Sequence, residues 1–302
     1  MADLLVTGTV ALDDVRTPFG EVTDALGGSA TFFSYAASFF TNVKLAAVIG
    51  PDFPKEHLEL LASRGVDLAG VQVSDGATFR WKGEYGYDLN EARTLDTRLG
   101  VLADFKPDLP PHFRHCPYVF LANLDPVIQL DVLRSMERPR LAALDTMNFW
   151  IKGKPEALRA VLAEVDALLI NDTEARMLAG EPNLVRAART ILDWGPRVVV
   201  VKRGEYGALM VTSDHFFFVP AYPLESVFDP TGAGDTFAGG FMGVLAGEEL
   251  IDEWTLRRAV VYGSVIASFT VEDFSLNRLK RLTRRELDAR YRAFREMMQV
   301  EL

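Results

Sequence analysis

The chain has 302 residues, of which 49% are hydrophobic and 25% charged, and a formal net charge of −10. That balance belongs to ordinary globular proteins and argues against a long disordered region. The acidic sum argues against a broad basic surface for nucleic acid, and a single cysteine excludes an intrachain disulfide.

Short β-branched runs alternate with longer helical patterns along the chain. Residues 4–10, 43–49, 118–122, 141–145, 167–170 and 198–202 read as strands. Their nearly continuous apolar character suits strands buried on both faces of a parallel sheet. Helical patterns lie between them at 30–40, 55–64, 126–136, 155–164 and 184–194. Two closely spaced strands, 207–212 and 215–220, meet at the Ser213-Asp214 turn, and the last third is helical at 233–246, 253–271 and 284–299. Strand-helix-strand repetition predicts an α/β fold with helices on both faces. Two stretches break the rhythm. Residues 14–24 are polar and turn-rich, and within 78–99 the run from Phe79 to Tyr87 alternates aromatic with polar residues. Alternation is the period of a half-exposed antiparallel strand, so both stretches are expected to form a small sheet projecting from the main body as a lid. With no interdomain linker visible, residues 1–302 are expected to form one domain carrying those two insertions.

The N-terminus has no basic stretch followed by an apolar core. The longest uncharged apolar runs, 236–247 and 259–271, fall short of the roughly 20 residues that a membrane span needs. A cytoplasmic protein without a membrane partner is expected. Cys116 reads as a small buried hydrophobe, since no His/Asn motif of a thiol enzyme surrounds it. His112 and His115 follow Pro110-Pro111, a turn signal, and do not make a metal pair.

The stretch Asp229-Pro-Thr-Gly-Ala-Gly-Asp-Thr-Phe-Ala-Gly-Gly-Phe241 is the most informative. A helix beginning near Ala233 points unpaired N–H groups at whatever precedes it, and these groups with the helix dipole form an anion hole. Asp235 stands in the first turn, facing the same space. Phosphoryl transfer to an alcohol needs such a pair: amides for the charge on the transferred group and a carboxylate for the hydroxyl proton. The plainer alternative is a glycine-rich cap with Asp235 merely complementing the dipole. Gly239-Gly240, inside the helix, reads as close helix-sheet packing.

This stretch resembles the C-terminal signature D-T-x-G-A-G-D of the ribokinase family, the PfkB-type carbohydrate kinases. It matches at Asp229, Gly232, Ala233, Gly234 and Asp235 and differs at Pro230-Thr231. The resemblance implies Asp235 as catalytic base and Gly232, Ala233 and Gly234 as the anion hole. Gly8-Thr-Val-Ala-Leu-Asp13 resembles the family's first strand, whose closing aspartate binds substrate hydroxyls; Asp14 competes if the register slips by one. Gly27-Gly28 resembles the double-glycine motif at the substrate. Asn171-Asp-Thr-Glu174 resembles the N-x-x-E motif, with Glu174 helping to hold magnesium through water; a helix cap also explains Asn171. Lys202-Arg-Gly-Glu-Tyr-Gly207 is similar to the nucleotide-side T-x-G-x-x-G pattern, which implicates Gly204 and Gly207 and puts lysine where threonine stands. Lys202 is either a phosphate contact or a solvated charge at a strand end. The resemblance runs from about residue 4 to 271. It implies a three-layer α/β/α ribokinase-like domain with a mostly parallel central sheet and a small β-sheet lid. The implied cofactors are ATP and Mg²⁺, a monovalent cation is left open, and adenine is expected between the loop before Asp229 and the helix spanning 259–268.

One position departs from the pattern. Many sugar and nucleoside kinases of the family carry asparagine five residues after the first glycine of the double-glycine motif, and Phe32 stands there. A phenyl ring makes no hydroxyl hydrogen bond, so Asn123 or Asn148, at the ends of two strands, is the candidate to replace that amide. The lid aromatics Phe79, Trp81, Tyr85 and Tyr87 suit stacking on a nucleobase, the apolar face of a sugar, or plain packing, with packing the default. Lids of this family often pair between subunits, so a homodimer is an expectation. The leading reading is an ATP-dependent kinase of a sugar, the alternative a nucleoside kinase. A silent nucleotide sensor on the same fold is a third reading, against which the presence of Asp235 argues.

Overall fold

A computed structural model describes residues 2–299. The chain begins with β1 (Asp3–Thr7). It then leaves the sheet at Gly8, where a Cβ would sit 2.7 Å from that of Ala122. Next come β2 (Ala11–Thr17), β3 (Gly20–Gly27), α1 (Ser29–Ala37), β4 (Asn42–Ile49), α2 (Lys55–Ser63) and β5 (Asp67–Val73). A second excursion forms β6 (Arg80–Tyr85) and β7 (Ala92–Arg98). The α/β rhythm returns with β8 (Tyr118–Leu121), α3 (Pro126–Ser135), β9 (Leu141–Asp145), α4 (Asn148–Gly153), α5 (Pro155–Leu162), β10 (Ala167–Asn171) and α6 (Asp172–Ala179). It continues through α7 (Leu184–Leu192), β11 (Val198–Lys202), β12 (Ala208–Val211) and β13 (Phe216–Val219). Four helices close the chain: α8 (Ala233–Ala246), α9 (Glu253–Thr270), α10 (Asn277–Arg281) and α11 (Arg284–Met297).

The main sheet has nine strands in the order β13-β12-β11-β10-β9-β8-β1-β4-β5. From β11 to β5 all neighbours pair in parallel, and β12 and β13 run antiparallel at one edge. Alternating side chains feed two cores. Leu4 and Val6 enter a core shared with α1, α8 and α9, while Leu5 enters the opposite core with Leu158 and Ile191. Both faces of the strands are therefore buried, as their unbroken apolar runs require. Three layers result, and no helix among the described residues is long and apolar enough to cross a membrane.

The second sheet has the order β3-β2-β6-β7. Two expectations change here. The first predicted strand, 4–10, ends early, so Asp13 lies on β2 of the small sheet and not at the close of a main-sheet strand. β6 runs parallel to β2 and antiparallel only to β7, because the chain crosses the main body between β3 and β6. β5, α4, α6 and α10 carry no strong period in the sequence and are additional elements. Gly239 and Gly240 serve helix-helix contact instead of helix-sheet contact. A Cβ on Gly239 would meet Ala36 of α1 at 2.8 Å, and one on Gly240 would meet Ile266 of α9 at 2.6 Å.

Candidate active site

Parallel strands end their carboxyl termini on one edge, where α/β proteins gather ligands. Register sets Asn171 beside Lys202, and Leu169 beside Asp145, so three neighbouring strands deliver Asp145, Asn171 and Lys202 to one corner. The Lys202 ammonium lies 2.8 Å from Asp145 Oδ2, and the Thr146 N–H donates to Asp145 Oδ1 at 2.7 Å. Asn171 caps α6. Its side-chain oxygen accepts from the Glu174 N–H at 2.8 Å, and its own N–H donates to Glu174 Oε2 at 3.1 Å. The cap predicted for Asn171 is thus present, and it fixes Glu174 against the same corner. Burial, aided by Asp145 and opposed by Lys202, pushes the Glu174 carboxyl up to about 7.

The N-terminus of α8 meets this corner. Gly232 is its N-cap at φ 75°, a left-handed conformation glycine adopts at no steric cost, and a Cβ there would overlap the Phe32 ring. The Ala233 N–H is turned onto the Pro230 carbonyl at 3.1 Å. Asp235 is half-buried in the first turn. Burial foremost, then the Asp145 charge, push its carboxyl up to about 7, against the pull of Lys202. A carboxylate so adjusted takes up a proton efficiently near neutral pH. Asp229 is 1% exposed and holds the loop: Oδ1 accepts from the Thr231 N–H at 2.9 Å and Oδ2 from the Ser275 N–H at 3.3 Å. Gly204 and Gly207 form the β11–β12 turn. A Cβ on Gly204 would lie 2.9 Å from Asn90 of the β6–β7 connection, whereas Gly207 packs on the Val219 carbonyl.

Across from the helix N-terminus lies the inner face of the small sheet. Asp13 is 6% exposed, and Gly27 makes room for its carboxylate. Its Oδ1 has no partner among the described residues. Burial, then the charges of Asp229, Asp235 and Asp14, push Asp13 up to about 8, against the Gly28 N–H that it accepts. Asp14 turns to the other face and accepts from the Asp24 N–H at 3.0 Å, so the structure sets Asp13, not Asp14, toward the main body. Pairing puts Trp81 beside Asp13 on that inner face. Gly83 leaves space for the indole to lie over the sheet, and the indole N–H donates to Thr94 at 3.1 Å. Tyr85 reaches further, its hydroxyl accepting from Thr231 Oγ1 at 3.3 Å. Tyr87 points away and is 94% exposed. A crevice between the two bodies is lined by Asp13, Val15, Phe32, Asp229 and Thr231.

Of the two asparagines proposed to replace the missing amide, Asn123 is engaged elsewhere. Its side-chain oxygen accepts from the Trp150 indole at 2.9 Å and its nitrogen points to Met147 Sδ at 3.1 Å. Asn148 opens α4, and its backbone N–H faces Glu174. One residue of the site, Asp145, and one contact, that of the lid aromatic Tyr85, go beyond what the sequence suggests. Asp145 carries a signal, a carboxylate closing a parallel strand, whereas the contact of Tyr85 with Thr231 spans 146 residues and leaves none.

A three-layer parallel sheet with a helix N-terminus and a buried carboxylate at its carboxyl edge, faced by a second sheet, defines the ribokinase fold. The match is direct at the sequence level: the pfkB family carbohydrate kinase model matches residues 6–280. The chain belongs to that family and is a phosphotransferase with a hydroxyl acceptor. It is 32% identical over 248 residues to the cytidine kinase of Thermococcus kodakarensis, covering 80% of this chain and 88% of that protein. It is 27% identical over 292 residues to the nucleoside kinase of Methanothermobacter thermautotrophicus, covering 90% of each. The structure of ribokinase from Cryptococcus neoformans in complex with ADP superimposes with a TM-score of 0.80 at 21% identity, covering 96% of this chain and all of that one.

Proposed function

We propose that this kinase moves the γ-phosphoryl group of ATP to a hydroxyl of a nucleoside, with the base resting on Trp81. The observation that carries the reading is the Trp81 indole laid over Gly83, pinned by Thr94, on the same face and next strand to Asp13. A rigid π-face beside a buried carboxylate suits a molecule with a flat base and an adjoining polyol. Phe32, standing where an asparagine would grip a sugar hydroxyl, adds an apolar wall. The relatedness to cytidine and nucleoside kinases supports the same substrate class.

In this reading Asp13 orients the acceptor through its unpartnered oxygen. Asp235 takes the proton of the attacking hydroxyl, whose oxygen forms the new P–O bond as the bond to the β-phosphate oxygen breaks and its electron pair leaves on ADP. The first-turn N–H groups of Gly232 and Gly234 receive the charge on the transferred group. The turn bearing Gly204 borders the nucleotide. Asn171 and Glu174 suit Mg²⁺ held through waters and phosphates, since no cluster of three acidic, histidine or cysteine groups is poised to cage a metal among the described residues. The ion neutralises charge on the phosphates when bound.

The test is ADP release with MgATP against a panel of nucleosides and free sugars. Release with nucleosides is expected. Trp81→Ala should raise the nucleoside KM by about 10- to 100-fold, the usual worth of one stacked base. Turnover of a free sugar in preference to every nucleoside, or an unmoved nucleoside KM in Trp81→Ala, overturns the nucleoside assignment and leaves the kinase intact.

A further inference from the structure

Lys202 is oddly placed for a residue that serves stability. It closes β11, but its side chain runs back along Gly234 instead of out to solvent. Its ammonium comes 3.0 Å from the point a Cβ on Gly234 would occupy, and the side chain is 15% exposed. A cation beside the first turn of a helix faces the positive end of the helix dipole, an unfavourable position in an isolated protein. Burial also disfavours its charge, and the neighbouring acids Asp145, Asp235 and Glu174 keep it protonated. Among the described residues Asp145 alone forms its ion pair, with the other Asp145 oxygen taken by the Thr146 N–H. Gly234 matters here, because any larger residue would push the ammonium away from the helix N-terminus.

The corner otherwise offers carboxylates. Asp145, Glu174 and Asp235 surround the place where a transferred phosphoryl group, itself negative, must pass. Mobile positive charge from the protein is what that arrangement lacks unless Lys202 supplies it. We propose that Lys202 is a catalytic residue of the transfer: its ammonium moves from Asp145 onto an oxygen of the γ-phosphoryl group, and Asp145 is the positioning residue that holds it ready. Lys202 neither gains nor loses a proton. It donates a charge-assisted hydrogen bond that strengthens as the acceptor oxygen bonds to phosphorus, the β-phosphate oxygen departs with its electron pair, and the hydroxyl proton passes to Asp235. The inference rests on the kinase reaction and is independent of which acceptor is used.

The decisive variant is Lys202→Met, which keeps most of the stem and removes the charge. Calorimetric titration with MgATP and with MgADP is run beside turnover. Turnover is expected to fall by about 10²- to 10³-fold. ADP affinity should change by less than about threefold, and ATP should lose about tenfold more than ADP, because only ATP carries the oxygen that Lys202 reaches. Lys202→Arg, which keeps the charge, should recover part of the loss. Intact ADP binding certifies that the variant is folded. Equal loss of ATP and ADP binding, or turnover within threefold of the parent, overturns the proposal. An unmodified enzyme that ignores every nucleoside would sink the acceptor assignment alone, since the ATP-over-ADP difference is read without any acceptor.

Discussion

The donor corner and the acceptor chamber of the proposed reading meet at Asp235 and are built differently. The proposed donor corner takes Asp145, Asn171 and Lys202 from the ends of three adjacent parallel strands and meets the N-terminus of one helix. Its charged groups are locked together, as in the 2.8 Å Lys202–Asp145 pair and the reciprocal cap of Asn171 with Glu174. The acceptor chamber takes Asp13, Trp81 and Tyr85 from a separate sheet and sets them against Phe32 and Thr231. There an acidic oxygen is left unpartnered, and the walls are aromatic. Mutually engaged charged groups at the edge of the main sheet thus face an aromatic surface with one unpartnered acidic oxygen, carried by a separate sheet.

The hardest blow to the comparison falls where the halves join. Asp235→Asn should lower kcat by about 10²- to 10⁴-fold, the usual contribution of a general base, with MgADP binding retained. Burial and Asp145 hold the native carboxyl near 7. A base must be ionised to accept a proton, so kcat/KM of the parent should fall as pH drops below about 7, and the variant should lose Asp235's share of that limb and keep the share of Glu174, which is also pushed up to about 7. Near-parental turnover in the variant would remove Asp235 from the role of base and leave the two halves without a common centre.

Asp13→Asn probes the acceptor half and should separate function from stability. Assayed above pH 8, where the folded carboxyl is ionised, its loss should reduce kcat/KM for the acceptor by about 10- to 100-fold, the scale of a charged hydrogen bond. Stability should move the other way. The Asp13 carboxyl ionises near 8 in the folded chain, against 3.8 for the unconstrained group. Between those values the folded state holds a proton that the unfolded state has released, so this group's contribution is complete below about 4 and is lost as pH rises through about 8. The slope is at most about 1.4 kcal/mol per pH unit. Urea midpoints at pH 5 and pH 8 should therefore show the variant gaining on the parent at the higher pH. A gap that stays constant would mean that Asp13 is already ionised in the fold and that burial does not set its proton.

The same division explains what could be read from the chain beforehand. The strands at 141–145 and 198–202 coincide with β9 and β11, and the helix at 233–246 coincides with α8, because continuous apolar runs and a glycine-rich cap are local signals. Asn171, Lys202 and Asp235 stand out by their resemblance to family motifs, and the structure brings them to one corner together with Asp145. The acceptor chamber was less legible. Asp13 is expected at the close of a first strand only because Gly8–Asp13 resembles the family's motif, and nothing local announces that Gly8 must turn the chain out of the sheet. Asn123 stood at the right strand end, but its amide is held by Trp150, a partner that only the folded chain supplies. Phe32 was visible as a departure; that its ring covers Gly232 follows from the meeting of α1 with α8.

The smallest effect bears on whether the halves communicate. The hydroxyl of Tyr85, on the small sheet, touches the loop that leads into α8, accepting from Thr231 Oγ1 one residue before Gly232. Burial and the acids Asp229, Asp13 and Asp235 keep that phenol protonated, so it also has a hydrogen to offer an acceptor. The same hairpin sets Asn90 against Gly204 and Glu91 within 3.4 Å of the Thr173 hydroxyl on the donor side. Tyr85→Phe retains the ring and removes one neutral hydrogen bond, worth about 0.5–1.5 kcal/mol, or roughly 2- to 12-fold. If the contact carries acceptor docking into the anion hole, the loss should appear in kcat with acceptor bound, and MgADP affinity should stay put. A change confined to acceptor KM would make Tyr85 a wall of the chamber only, and the donor corner would then work at its own rate whatever the small sheet holds.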